Sequence, residues 1–337
     1  MKIKKLLVLT TLLAALVFSA CSSETKNDEK DTSSGDKPTT SAIDDTNVGG
    51  ITEEITTTTE PTEEVTTTTE PEPLMPDDTV IDWGDPNLEA AMREELEIYD
   101  RDIVYGDVKN IVTLNIAHSE ISNFSALSNL PKLRDLDVNH NNISDISSLC
   151  GLTQLTSLAL YYNDVTDISG LSNMTNLESL YLSENNVSDI SALSTLVNLK
   201  TLSINENNIS DISALSNLTN LTYLNLSYNN ISDISALSNL TDLTNLDIEC
   251  NEVSDISALK NMTDMQSLYI ANNNISDISA LSGMTGLTTL RASDNSISDV
   301  NPLKNLTNLT FLALSGNNIT DYSPLDNLTN VETLYRD

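Results

Sequence analysis

Residues 207–216 read NNISDISALS, and the same ten letters return at 229–238 and at 273–282. Working outward from that phrase, Leu or its equivalent recurs at 133, 155, 177, 199, 221, 243, 265, 287 and 309, a period of 22 without insertion. A fixed period of this length has to be read before any single element, because one unit of such an array is not a domain by itself. Written as L-x-x-L-x-L-x-x-N-x-I-x-D-I-x-x-L-x-x-L-x-x, the template fits ten units from Ile111, and an eleventh starts at Val331. Unit six shows it whole, with Leu221, Leu224, Leu226, Asn229, Ile231, Asp233, Ile234, Leu237 and Leu240. Alternation in the leading L-x-L predicts a short strand, and the later I-x-x-L-x-x-L, with period 3, suits a 3₁₀ turn. One unit cannot bury both apolar rows. Stacked units can, with parallel strands about 4.8 Å apart, so ten of them make an arc on the order of 50 Å long.

With its spacing, its Asn and its Asp-Ile pair in nearly every unit, the pattern over about residues 80–337 resembles the leucine-rich repeat family. The 22-residue length is that of the bacterial type found in internalins and related surface proteins of monoderm bacteria. The resemblance implies an α/β solenoid with a parallel sheet on the concave face, 3₁₀ turns on the convex face and an N-terminal helical cap. DWGDPNLEAAMREELEIYDRDIVYGDVKNIVTLNI, residues 82–116, is similar to that cap. Its own chemistry agrees: Asp85 suits a helix N-cap, Pro86 the first turn, and Leu88, Met92 and Leu96 share one helical face. At the far end, VETLYRD stops partway through the eleventh unit. Tyr322 in place of Ile, with Pro302 and Pro324, is one candidate for an end cap; pairing with a second molecule through the open edge is the alternative.

The chain opens with MKIKKLLVLTTLLAALVFSAC, in which Lys2, Lys4 and Lys5 precede an apolar run too short for a membrane span. Phe18-Ser19-Ala20-Cys21 resembles a bacterial lipoprotein box, which implies cleavage before Cys21 and lipid on its thiol, with anchoring by more than one acyl chain. Four segments are therefore expected: a signal peptide at 1–20, a lipid-anchored stalk at 21–79, the cap at 80–110 and the repeats at 111–337. EEITTTTEPT (53–62) and EEVTTTTEPE (63–72) repeat within the stalk, where Pro, β-branched Thr and like charges favour an extended spacer. Losing residues 1–20, which carry three lysines and no acid, takes the formal charge from −34 to about −37. Such a surface argues against nucleic acid and anionic lipid and for basic partners or cations. Cys150 and Cys250 are five repeats apart and on different faces in this register, beyond disulfide reach.

Two polar columns run through the array. The first holds Asn141, Asn163, Asn185, Asn207, Asn229, Asn251, Asn273, Asn295 and Asn317, with Ser119 in the first unit. The family resemblance implies that these amides point inward, where each can satisfy backbone groups left unpaired by the turn. The second holds Asp145, Asp167, Asp189, Asp211, Asp233, Asp255, Asp277, Asp299 and Asp321. These carboxylates suit capping of the I-S-x-L turn; a row of Ca²⁺ ions is the alternative, weakened by one carboxylate and no Gly per unit.

A scaffold so uniform directs attention to what varies, the outward strand positions two, three, five, seven and eight of each unit. Six of the ten tyrosines and one of the three phenylalanines stand there: Tyr161, Tyr162, Tyr181, Tyr223, Tyr228, Tyr269 and Phe311. Rings concentrated on one face of an aromatic-poor protein mark a binding surface. Arg134, Asp137, Lys200, Glu206, Asp247 and Arg291 complete the candidate ligand-binding set, within an acidic rim that also includes Asp135, Glu178, Glu184, Glu249 and Asp294. His118 and His140 share position eight of adjacent units near Asp137, a pair whose plainer reading is two exposed histidines rather than a metal site. No phosphate loop, nucleophile elbow or zinc-helix motif is present, so neither catalysis nor a cofactor is expected. The expected role is a lipid-anchored cell-surface module on the extracellular face that binds a protein. Glycan binding and envelope self-association through the C-terminal edge are the alternatives.

Overall fold

The computed structural model describes residues 75–336, so the leader, Cys21 and the Thr/Glu/Pro repeat lie outside the described residues. Eleven strands of three residues each run from β1 (Thr113–Asn115) to β11 (Thr333–Tyr335). They pair in chain order as one parallel sheet. Register follows the period: Leu114 lies opposite Leu136, Leu202 opposite Leu224, and Leu224 opposite Leu246. Each return on the far side is a 3₁₀ turn, from Ser125–Asn129 in the first unit to Ser323–Leu325 in the tenth. The leucines and isoleucines of the template fall in one continuous core, most of them with no exposed surface. The apolar faces of strand and turn are thus buried only because a neighbour on either side covers them. Among the described residues no helix is long and apolar enough to cross a membrane.

The Asn column links each unit to the one before it. Asn229 Oδ1 accepts the Ile209 N–H at 3.0 Å, while its Nδ2 donates to the carbonyls of Ile204, Leu226 and Ser227 at 3.0, 3.1 and 3.2 Å. The same pattern recurs at Asn163, Asn185 and Asn273. Buried backbone groups that the short strands cannot pair are satisfied in this way. The Asp column forms caps: in all nine units Oδ1 accepts the N–H of the residue opening the turn, as in Asp233 with Ser235 at 2.8 Å.

At the N-terminus α1 (Pro86–Leu96) buries Leu88 and Met92 against the first repeat, with Leu96 half-buried beside them. Asp85 holds both sides of that junction. Its Oδ1 accepts the N–H groups of Asn87 and Leu88, and its Oδ2 those of Ser122 and Asn123 in the first repeat. Burial acts to raise its pKa, and these four donors outweigh burial and hold it below the usual aspartate value.

Residues 75–79, assigned to the stalk by composition, are part of this cap. Tyr105 N–H donates to the Thr79 carbonyl at 2.8 Å, Asp77 pairs with Lys109 at 2.6 Å, and Val80 bridges Val104 antiparallel. Gly106 allows the approach, since a Cβ there would meet the Asp77 carbonyl at 2.9 Å. These contacts join residues distant in sequence, so local polarity gave no sign of them.

Candidate ligand-binding face

Alternation in the three-residue strands sends positions three and five outward, and the chain then turns away after position seven. Position eight has a property that its residue types conceal. His118, His140, Tyr162, Glu184, Glu206, Tyr228, Cys250, Asn272 and Asp294 all have φ between 52° and 55°, and Gly316 follows in the same column. Left-handed backbone is disfavoured for residues with a Cβ. Here it is held by a ladder, because each of these N–H groups donates to the position-seven carbonyl of the next unit, as in Tyr162 to Ser183 at 3.0 Å and Glu206 to Ser227 at 3.0 Å. His118, His140, Asn272, Asp294 and Gly316, residue types that tolerate this conformation better than most, were the sequence sign of it. Gly316 is further constrained, since a Cβ there would collide with the Asp294 carboxylate.

The ladder brings side chains of consecutive units face to face near the N-terminal end. His118 stacks on His140, and His140 on Tyr162, each with ring centroids 4.2 Å apart. Tyr161 stands edge-on to both His140 and Tyr162. Asn139, buried and absent from the residues singled out by sequence, organises this group. Its Nδ2 donates to the Tyr161 hydroxyl at 2.8 Å and to Asp137, and its Oδ1 lies 2.7 Å from His140 Nδ1. Asp137 is thereby engaged by Asn139 and Asn115 rather than by the histidines. Tyr162 donates to Glu184, which pushes its phenol up to about 12. Among the described residues no group of three or more His, Cys, Asp or Glu is placed to hold a metal ion.

A second group occupies repeats six to eleven. Asp247, at the end of β7 (Asn245–Asp247), lies opposite Tyr269 at the end of β8 (Ser267–Tyr269), and Tyr269 lies opposite Arg291 at the end of β9 (Thr289–Arg291). The Arg291 guanidinium sits 5.3 Å from the Tyr269 ring centre and 5.4 Å from that of Phe311, the first residue of β10 (Phe311–Ala313). Phe311 in turn touches Tyr335 of β11, a ring not among those selected by sequence. Burial pushes the Asp247 carboxyl up to about 6 against the opposing pull of the Glu249 N–H and the charge of Arg291. Burial, then repulsion from Asp247, pushes Glu249 up to about 7. Tyr223, the first residue of β6 (Tyr223–Asn225), has its phenol raised by burial and by the charge of Asp247, with Tyr181 and Tyr269 near enough to add to it.

The remaining selected residues lie outside these two groups. Lys200 is engaged by Glu178 at 2.7 Å, and Arg134 donates to the Gln154 carbonyl at 3.0 Å, both at the start of their strands. Glu206 is exposed, and its pKa is raised by partial burial and by Glu184. Tyr228 is also exposed, in the column that follows Glu206. Cys150 is on the convex half and Cys250 is in the left-handed column.

Comparison with known proteins agrees with this architecture. Models described as leucine-rich repeats match residues 153–195, 175–217, 197–238, 219–261 and 263–305, and a single-repeat model matches 129–146 and 305–321. No curated protein sequence matches the chain. Among solved structures, the internalin inlF from Listeria monocytogenes is 34% identical, with 77% of this chain and 84% of that chain covered and a TM-score of 0.69. Internalin C2 from the same species is 26% identical over 77% of this chain and 98% of its own, with a TM-score of 0.51. The leucine-rich repeat ectodomain of the plant receptor kinase GASSHO1/SCHENGEN3 from Arabidopsis thaliana, solved in complex with CASPARIAN STRIP INTEGRITY FACTOR 2, is 25% identical. It covers 68% of this chain and 30% of that one, with a TM-score of 0.60. With a period of 22, an eleven-stranded parallel sheet and this identity to inlF over most of both chains, the protein belongs to the internalin-type leucine-rich repeat proteins.

Proposed function

We propose that this protein is a surface recognition module, held at the extracellular side of the cell membrane by lipid on Cys21 and raised on its Thr/Glu/Pro stalk, whose concave face binds a protein ligand. One observation carries this reading: the rings and the desolvated acids gather on the concave face, whereas the convex face repeats a single polar pattern of Asp caps. Tyr162, Tyr223 and Tyr228 keep 44%, 39% and 39% of their surface exposed, a cost in free solution that a partner's apolar surface offsets. The plant ectodomain of the same fold, solved in complex with CASPARIAN STRIP INTEGRITY FACTOR 2, supports this reading. Glycan recognition is less well served, because sugars stack on open ring faces and the inner faces of the His118–His140–Tyr162 column are taken up by one another.

Replacing Tyr181, Tyr223 and Tyr269 together with Ala tests the proposal in a pull-down from surface proteomes with a glycan array in parallel. Capture of a protein should fall by at least about tenfold while the circular dichroism spectrum is unchanged. Undiminished capture would remove the concave face from the argument, and capture of glycans alone would replace the ligand class.

A further inference from the structure

Among the described residues four ion pairs form, Glu89 with Arg93, Asp107 with Arg101, Asp77 with Lys109 and Glu178 with Lys200. Asp247 and Glu249 belong to none of them. They stand two residues apart on the concave side of the seventh repeat, half-buried; Asp247 accepts the Glu249 N–H at 3.0 Å, and neither carboxylate is paired with a cation at salt-bridge distance. Arg291, two units further along the same column, could have been that cation. Its guanidinium is instead held over Tyr269 and Phe311, and no nitrogen of it comes within 4.0 Å of either carboxylate. The face therefore already accommodates one guanidinium by its rings, and the charge of that guanidinium reaches the two carboxylates only at a distance, without an ion pair.

From this arrangement, and resting on the reading of the concave face as a protein-binding surface, we infer that Asp247, set beside Tyr223 and Tyr269, and Glu249 next to it form the anchor socket for a lysine or arginine side chain of the protein ligand. Two chemistries act together in such a socket. The carboxylates neutralise the incoming cation and accept its N–H groups, and a guanidinium presents a planar fork of donors that fits two acceptors at once. The phenol rings supply π faces to which the same cation is attracted, as Arg291 demonstrates next to them. An acidic or neutral side chain would leave the two charges desolvated and unpaired, so the socket discriminates by penalty as well as by attraction. The raised proton affinity of both acids reflects burial first, with repulsion from Asp247 adding to it at Glu249 and the more distant charge of Arg291 opposing it at both.

The test uses the purified protein and an array of immobilised peptides with random flanks around one central residue, arginine, lysine, citrulline or glutamate. The socket predicts that arginine and lysine peptides are retained about tenfold or more over citrulline peptides of the same flanks. It also predicts that Asp247→Asn with Glu249→Gln abolishes the preference, while Asp233→Asn, on the convex side, leaves it intact. Both substitutions in the double variant keep side-chain shape, and a thermal melt reports that it folds. Equal retention of arginine and citrulline peptides, or a preference that survives in the double variant, overturns the socket. If capture is then still lost on replacing Tyr181, Tyr223 and Tyr269 with Ala, the socket alone has failed; if capture ignores the rings too, the broader reading fails with it.

Discussion

Asp233 on the convex side and Asp247 on the concave side are the same residue type on the same scaffold, one repeat apart, and their surroundings act in opposite directions. Asp233 is open to water and accepts the N–H of Ser235, which holds its carboxyl below the usual value, as happens for Asp145, Asp189 and Asp321 in their own units. Asp247 lies among Tyr223, Tyr269 and Glu249, where burial raises its carboxyl to about 6. The convex charge contributes to the turn that it caps. The concave charge opposes folding and stands on a face whose residues differ from unit to unit, as the binding role proposed for that face requires.

The sharpest way to break this contrast is to remove a group that serves neither face. Asn229→Ala should lower unfolding stability by about 3 kcal/mol, because it strands the Ile209 N–H in the core and takes one of two donors from each of the Ile204, Leu226 and Ser227 carbonyls. Equilibrium denaturation checks this, and a loss no larger than that of a surface substitution would mean that the Asn column is not the link between units.

Next in size, Asp247→Asn with Glu249→Gln should raise stability at pH 8 by on the order of 2 kcal/mol, read from the same denaturation curves. The sign follows from the proton affinities. Both folded carboxyls, at about 6 and about 7, lie above their ordinary values of 3.8 and 4.5, so the folded state binds the extra protons. Their ionisation therefore costs stability progressively as pH rises from about 4 to above 7. The double variant should be no more stable than the parent at pH 4. For the convex caps the sign reverses: their folded values are lowered, so their contribution is present at pH 5 and is lost as pH falls below about 3.8. A melting temperature that rises from pH 8 to pH 5 and falls again below pH 4 is the expected profile. A monotonic one would contradict the opposition between the two faces.

Smaller is the expected gain from Glu206→Gly, about 0.5–1 kcal/mol, since glycine adopts φ near 53° without the penalty borne by a residue with a Cβ. Glu206 belongs to no capping contact and shares its column with the His118–His140–Tyr162 stack, so a gain there would locate strain on the binding side. The smallest effect is that of Asp233→Ala, a slight lowering of the melting temperature from loss of one solvent-exposed cap among nine.

The repeats and the roles of their columns were legible before any coordinates, because a solenoid is nearly one-dimensional. The environment of Leu224 in unit six is set by Leu202 and Leu246, and all three stand at the same place in the template. The helix cap at Asp85 was legible for a similar reason, being local in sequence. Three features were not. The attachment of residues 75–79 depends on Lys109, Tyr105 and Gly106 meeting them from a distant part of the chain. Asn139 gave no signal because its role exists only once Tyr161 of the next repeat meets it, joining that ring to the neighbouring His140. Among the selected rings and charges, Arg134 and Lys200 were grouped with the rest by position alone, and their own partners at the strand starts engage them.

By itself, then, the sequence determined the period, the buried rows and the face on which variation is concentrated, since hydrophobic burial and turn capping act between neighbours that the period places in register. Only the tertiary structure decided which outward residues meet, how far Asp247 and Glu249 are withdrawn from water, and that position eight is left-handed throughout. Those properties depend on the curvature of the stacked sheet and on side chains of several units at once, and a linear pattern of residue types does not contain such distances.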